Sequence, residues 1–99
     1  MYGNPQKRSD SATQELRREA GRYIRELREA RGLSQRELAD LVGLDYYTFV
    51  SQLESGRGRV PPDRYRDWAN ALGVEPYVFV KRLLACYDPA TYEILFSAA

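Results

Sequence analysis

Four polar side chains between residues 47 and 52 have the spacing needed to reach the base edges of double-stranded DNA. If residues 46–54 form a helix, Val50 and Leu53 lie three positions apart and face the core, so the outward positions are Tyr47, Thr48, Ser51 and Gln52. A glutamine amide can form two hydrogen bonds to an adenine edge, and a threonine offers a hydroxyl or a methyl group to thymine. We therefore predict base contacts by these four residues.

The chain lacks the side chains from which common catalytic sites are built. It contains no histidine, the commonest general base and metal ligand, and its one cysteine cannot form a thiolate zinc site. Its carboxylates occur where a helix cap, a helix face or an ion pair accounts for them. We therefore predict no enzymatic activity, no cofactor and no metal ion.

Positive charge is concentrated in the first third of the chain. Residues 1–36 contain nine Lys and Arg but five Asp and Glu, although the net charge of the whole chain is only +1. A chain polarised in this way can present a basic face to phosphates while it remains nearly neutral. The alternative is that the arginines at positions 17, 18, 22 and 25 pair with glutamates on the same helix face.

Residues 33–56 predict two short helices that are joined by a tight turn. Ser34 and Glu37 have the spacing of a capping box, which predicts the first helical residue directly after Ser34. Gly43 suits the end of this helix, and Asp45 suits the cap of a second helix over about residues 46–54. A turn of three residues cannot fold the two helices back antiparallel, so we predict that they cross steeply, as in a helix-turn-helix.

Helices are predicted on both sides of this motif. The first runs from about residues 11–13 to Arg31, because apolar residues recur there every three or four positions, and we expect Gly21 to weaken its middle. Pro61 and Pro62 predict the start of a further helix, which Gly73 ends. Residues 1–10 are polar, contain glycine and proline, and lack periodicity, so we predict a disordered tail.

The last quarter of the chain predicts two more helices. One extends from Pro76 to about Tyr87, and a short one follows from Ala90 to about Ser97, with Asp88 as its cap. Large apolar residues are frequent between positions 77 and 96, more so than a surface helix requires. This excess favours a partner for one face of these helices; the alternative is a closed monomeric core.

Three segments of the sequence resemble the Xre family, the phage-repressor and Cro-like DNA-binding proteins. They are IRELREARGLSQRELADLVG, QLESGRGRVPP and WANALGV, and they lie in the order of the family between residues 23 and 74. One residue more than the usual family pattern lies between Gly43 and Leu53. The resemblance implies an all-α fold of five or six helices, with a phage-repressor-like domain over residues 11–74 and a C-terminal helical extension over residues 75–99.

The same resemblance implies roles for individual residues. Positions at which the family contacts the DNA backbone correspond here to residues in and around the motif, and we expect phosphate contacts by Gln35, Arg36, Tyr46, Arg57 and Arg59. Arg28 and Glu54 occupy positions that often form a structural ion pair in the family.

These observations lead to one expected function and one alternative. We expect a sequence-specific transcriptional regulator, in the role of a repressor, that binds the major groove of double-stranded DNA as a homodimer. The alternative is an antitoxin or adaptor of the same fold whose main partner is another protein, bound through the C-terminal helices. No apolar stretch approaches the roughly 20 residues that span a membrane, so we expect a cytoplasmic protein that associates with the nucleoid when it binds DNA.

Overall fold

The computed structural model describes residues 5–97, with side chains from residue 11 onward. Within that range the fold is all-α, as predicted, and no strand occurs. A short 3-10 helix at Pro62–Arg64 precedes α4, and the α-helices are α1 Pro5–Ala30, α2 Gln35–Leu41, α3 Thr48–Glu54, α4 Tyr65–Leu72, α5 Pro76–Tyr87 and α6 Pro89–Phe96. None of these helices is long and apolar enough to cross a membrane.

Helix α1 begins at Pro5, earlier than the sequence predicts. Proline fits the first turn of a helix because its missing N–H has no helical partner there, and no second proline or glycine follows before residue 21. Of the tail predicted over residues 1–10, residues 5–10 therefore continue α1, and residues 1–4 lie outside the described residues.

Gly21 does not interrupt α1; instead it lets α3 approach. A Cβ atom at position 21 would touch the Glu54 carbonyl oxygen and would lie 2.6 Å from the Leu53 carbonyl oxygen. The end of α3 therefore packs directly on the backbone of α1, where any side chain would separate the two helices. The sequence predicts a weakened middle of α1 but not this helix contact, because residues 21, 53 and 54 are far apart in the chain.

The core lies between the first five α-helices, α1 to α5. Its largest fully buried side chains come from these helices and the loops between them and are Trp68, Phe79, Ile24, Leu38, Leu53, Leu83, Val42, Val50 and Val60. The ring of Tyr23 on α1 stacks on that of Phe79 on α5, with centroids 6.1 Å apart. Because α3 contributes two of these buried residues, the core fixes how α3 is rotated about its axis.

The turn between α2 and α3 is longer than the sequence predicts. Helix α3 begins at Thr48, Tyr47 takes the N-cap position without a side-chain hydrogen bond, and Asp45 does not cap the helix. Gly43 adopts a φ of +76° at the end of α2, as expected for a residue that must reverse the chain. Tyr46 and Tyr47, which the sequence assigns to the helix, therefore precede its first residue.

Candidate nucleic-acid interface

Helix α3 presents a polar outer face, because its apolar side chains pack into or against the core. Val50 and Leu53 are fully buried, whereas Thr48 and Gln52 are exposed. Tyr47 is exposed at the N-cap, and Ser51 is half-buried on the flank of the helix. The structure therefore places three of the four predicted base-contacting residues on an open surface, and Ser51 at its edge.

A buried ion pair holds the end of α3 against α1. Arg28 Nε and Nη2 donate to the two carboxylate oxygens of Glu54, at 2.6 and 3.1 Å. The side chains are only 10% and 5% exposed, respectively. Arg28 Nη1 also donates to the Leu33 carbonyl at 2.7 Å, and the hydrogen bonds that Arg28 donates to Glu54 raise the pKa of its guanidinium above its ordinary value. The two residues are thus in contact, as the family resemblance implies.

Gln35 belongs to the same network. Its side-chain amide donates to Glu54 Oε1 at 3.0 Å, so one carboxylate connects α1, the first residue of α2 and the last residue of α3. The sequence predicts a phosphate contact for Gln35 but not this internal hydrogen bond, because the partners lie 19 positions apart. The network fixes α3 relative to the helix that precedes it.

A tyrosine and an arginine meet at the start of α3. The Arg36 guanidinium of α2 lies over the Tyr47 ring, 5.0 Å from its centroid, and Tyr46 beside it is exposed. Asp40 and Asp45 line the same cleft between α2 and the turn, but among the described residues no cluster of acidic groups or cysteine suits a metal ion. The stacking restricts the Tyr47 ring, which lies next to the outer face of α3.

Two more arginines lie in the loop after α3. The backbone N–H of Arg57 donates to the Gln52 carbonyl at 2.8 Å, so Arg57 directly follows the outer face of α3. Arg59 lies over the ring of Tyr87, 5.0 Å from its centroid. Within residues 11–97 neither arginine forms an ion pair. The Arg36 guanidinium therefore lies beside the N-terminal end of α3, and Arg57 follows directly after its C-terminal end.

The arginines on the outside of α1 behave differently. Arg18 pairs with Glu15 at 3.0 Å, and Arg25 pairs with Glu29 at 3.1 Å, in both cases on the same helix face. Arg22 lies 4.0 Å from Glu15. For these arginines the structure favours the alternative of ion pairs within one helix.

Comparison with known proteins identifies the family. Residues 19–78, more than half of the chain, match the model of a helix-turn-helix domain. The chain belongs to the Xre family of helix-turn-helix proteins. Accordingly, it is a DNA-binding regulator with an all-α fold.

A solved structure of this Xre-family fold supports the assignment. It is the crystal structure of the restriction-modification controller protein C.AhdI from Aeromonas hydrophila, which is 40% identical and aligns with a TM-score of 0.57. The alignment covers 66% of this chain and 96% of that chain. No curated protein matches the chain.

The helix-turn-helix match ends before the chain does. It stops at residue 78, so most of α5 and all of α6 lie beyond the matched residues. Helix α6 buries none of its residues, and Ile94 is 82% exposed although it is aliphatic. The C-terminal extension therefore exposes an apolar surface that a contact with DNA does not require.

Proposed function

We propose that this Xre-family protein is a sequence-specific transcriptional repressor, which binds double-stranded DNA as a homodimer and inserts α3 into the major groove. One observation carries this proposal: the polar outer face of α3 has an arginine next to each end, Arg36 and Arg57, and is held in place by the Arg28–Glu54 pair. A groove-binding helix needs such an open face, a fixed angle and phosphate contacts on both sides. The likeness to a controller protein supports a regulatory role.

The residues divide into two groups by the part of DNA that they contact. Base contacts come from the N-cap and outer face of α3, namely Tyr47, Thr48 and Gln52, with Ser51 at the edge. Phosphate contacts come from the flanking residues Gln35, Arg36, Tyr46, Arg57 and Arg59. Base contacts select the sequence, whereas phosphate contacts position the protein and make its affinity fall with salt.

Substitutions in the two groups should therefore have different effects. We expect Gln52→Ala to cost about 1–3 kcal/mol on the preferred site and to remove discrimination at one base pair. Arg57→Ala should instead weaken binding to all sequences alike and should lower the slope of log affinity against log salt by about 0.9. The measurement is titration of labelled duplexes, first selected from genomic fragments by the purified protein, at several salt concentrations. An unchanged site preference in Gln52→Ala would reject its role in base contact.

The C-terminal extension supports the homodimer. A groove between α5 and α6 has apolar walls that include Tyr77, Val78 and Tyr92, with Lys81 and Arg82 beside them. A second copy offers matching groups on α6, namely the exposed Ile94 and Leu95 next to the carboxylate of Glu93. In a two-fold dimer each patch is used twice, and two copies of α3 can then bind half-sites about 34 Å apart.

Exposed residues of α6 allow this homodimer to be tested without loss of the core. We expect the intact protein to sediment as a dimer at micromolar concentration, and Ile94→Glu to shift it towards the 11.4 kDa monomer, because a charge would enter an apolar interface. Ile94→Met is the control and should remain dimeric. Circular dichroism should be the same for all three proteins. A monomeric wild type, with and without a palindromic DNA site, would contradict the homodimer.

The same exposed surface supports the alternative function. An antitoxin or adaptor would bind a different protein through α5 and α6, and DNA binding would be secondary or lost. Salt-dependent binding to bulk genomic DNA separates the two proposals, because only the DNA-binding regulator loses affinity steeply as salt rises.

A further inference from the structure

Tyr87, the last residue of α5, contacts the loop that follows α3 in two ways. Its ring lies under the guanidinium of Arg59, 5.0 Å from the ring centroid. Its hydroxyl oxygen accepts a hydrogen bond from the backbone N–H of Val60 at 3.3 Å. Val60 is itself fully buried in the core. One aromatic side chain therefore holds both the backbone and the charged side chain of this loop.

The stacking leaves Arg59 able to bind an anion. A guanidinium contacts an aromatic ring through its flat face, and its N–H donors lie in the plane of the group and point away from the ring. Arg59 is exposed and forms no ion pair within residues 11–97. An arginine that is already oriented loses less side-chain freedom when it binds a phosphate than a freely rotating one does.

We propose that Tyr87 is a positioning residue for DNA binding, which orients Arg59 towards the phosphate backbone through its ring. The proposal rests on the proposed function, since Arg59 needs a phosphate to bind. Tyr87 lies outside residues 19–78, the part that matches the helix-turn-helix domain. It is a feature of the C-terminal extension, which would thus contribute to DNA affinity without touching DNA.

Tyr87, which contacts this loop, is also directly followed by the cap of α6. The next residue, Asp88, caps α6 by accepting hydrogen bonds from the backbone and hydroxyl of Thr91, at 3.2 and 2.7 Å. These hydrogen bonds, and the nearby charge of Arg59, lower the pKa of the Asp88 carboxyl. The residue after Tyr87 is therefore held at the junction of α5 and α6 by these hydrogen bonds.

The test is a comparison of Tyr87→Leu in three backgrounds of the full chain, with a labelled random-sequence duplex as the probe. Arg59→Gln alone should lose about eightfold in affinity at 0.1 M salt, the value of one phosphate contact. In an otherwise wild-type chain, Tyr87→Leu should lower the affinity about threefold or more. The loss should be equal in the Arg57→Gln background, because Arg57 stacks on no ring among the described residues. Tyr87→Leu should have no further effect in the Arg59→Gln background. Tyr87→Phe keeps the ring and should bind nearly as the wild type does.

Two results would overturn the positioning role even if Tyr87→Leu weakens binding. The first is an equal loss in the Arg57→Gln and Arg59→Gln backgrounds, which would make Tyr87 a purely structural residue. The second comes from the wild type by NMR: the side-chain protons of Arg59 should be shifted upfield by the Tyr87 ring current, and unshifted protons would show that the stacking is absent. This measurement requires no variant to fold.

The outcomes also separate this proposal from the function on which it rests. If the wild type binds no duplex at any salt concentration, the proposed function fails and the positioning role fails with it. If the wild type binds and Tyr87→Leu binds equally well, only the positioning role fails. Circular dichroism checks that each variant is folded, and Tyr87→Met, with an unbranched side chain, replaces Tyr87→Leu if the latter loses helical signal.

Discussion

Replacement of Glu54 by glutamine should lower the free energy of unfolding by about 3–5 kcal/mol, because it leaves the buried guanidinium of Arg28 without its counter-ion. In the native protein both carboxylate oxygens of Glu54 accept from Arg28, at 2.6 and 3.1 Å, and one of them also accepts from Gln35. The neutral amide has nearly the same shape but cannot compensate a charge that is removed from water. The end of α3 should then detach from α1, so DNA affinity should fall together with stability.

A double-mutant cycle separates the pair from its surroundings. Glu54→Gln and Arg28→Met, alone and together, should show coupling well above 0.5 kcal/mol when unfolding is followed in denaturant. The matched control is the exposed pair Arg25–Glu29 on α1, whose atoms are 3.1 Å apart but whose side chains are more than half exposed; its coupling should be about 0.3–0.5 kcal/mol. Equal coupling in the two cycles would mean that burial does not strengthen the Arg28–Glu54 pair.

Replacement of Gly21 by alanine should cost about 2–3 kcal/mol of stability, although alanine favours a helix more than glycine does. The added Cβ would contact the Glu54 carbonyl oxygen and lie 2.6 Å from that of Leu53. Both obstacles are backbone atoms, which cannot move aside as a flexible side chain can, so α1 and α3 must separate. The gain in helix propensity, about 0.5–1 kcal/mol, offsets only part of this cost.

Gly58 provides a control for the same chemical change. An added Cβ there would lie 3.4 Å from the nearest heavy atom, a methyl carbon of Leu53, which is an ordinary contact distance. We expect Gly58→Ala to change stability by no more than about 0.5 kcal/mol. The measurement is the unfolding midpoint and slope in denaturant for both variants. A Gly21→Ala protein as stable as the wild type would show that α1 and α3 do not need this close approach.

The sequence by itself determined the features that depend on neighbouring residues. The capping box was predicted from Ser34 and Glu37 and is present, with hydrogen bonds of 3.0 and 2.8 Å. Helix α5 begins and ends where predicted, at Pro76 and Tyr87, because proline and an apolar periodicity define it locally. The family was likewise evident from three short segments that occur along the chain in the order typical of the family. The all-α class followed from these local signals together.

Only the tertiary structure decided which distant residues meet. Helix α3 starts at Thr48 instead of Tyr46, and Asp45, the cap that the sequence offers, does not cap it. The hydrogen bond from Gln35 to Glu54 and the stacking of Arg59 on Tyr87 join residues 19 and 28 positions apart. Capping and helix periodicity act over about four positions, whereas the packing of α1 against α3 and α5 brings together side chains that no local pattern relates. The sequence therefore determined the helices and the family, and the packing determined how α3 and its flanking arginines are held.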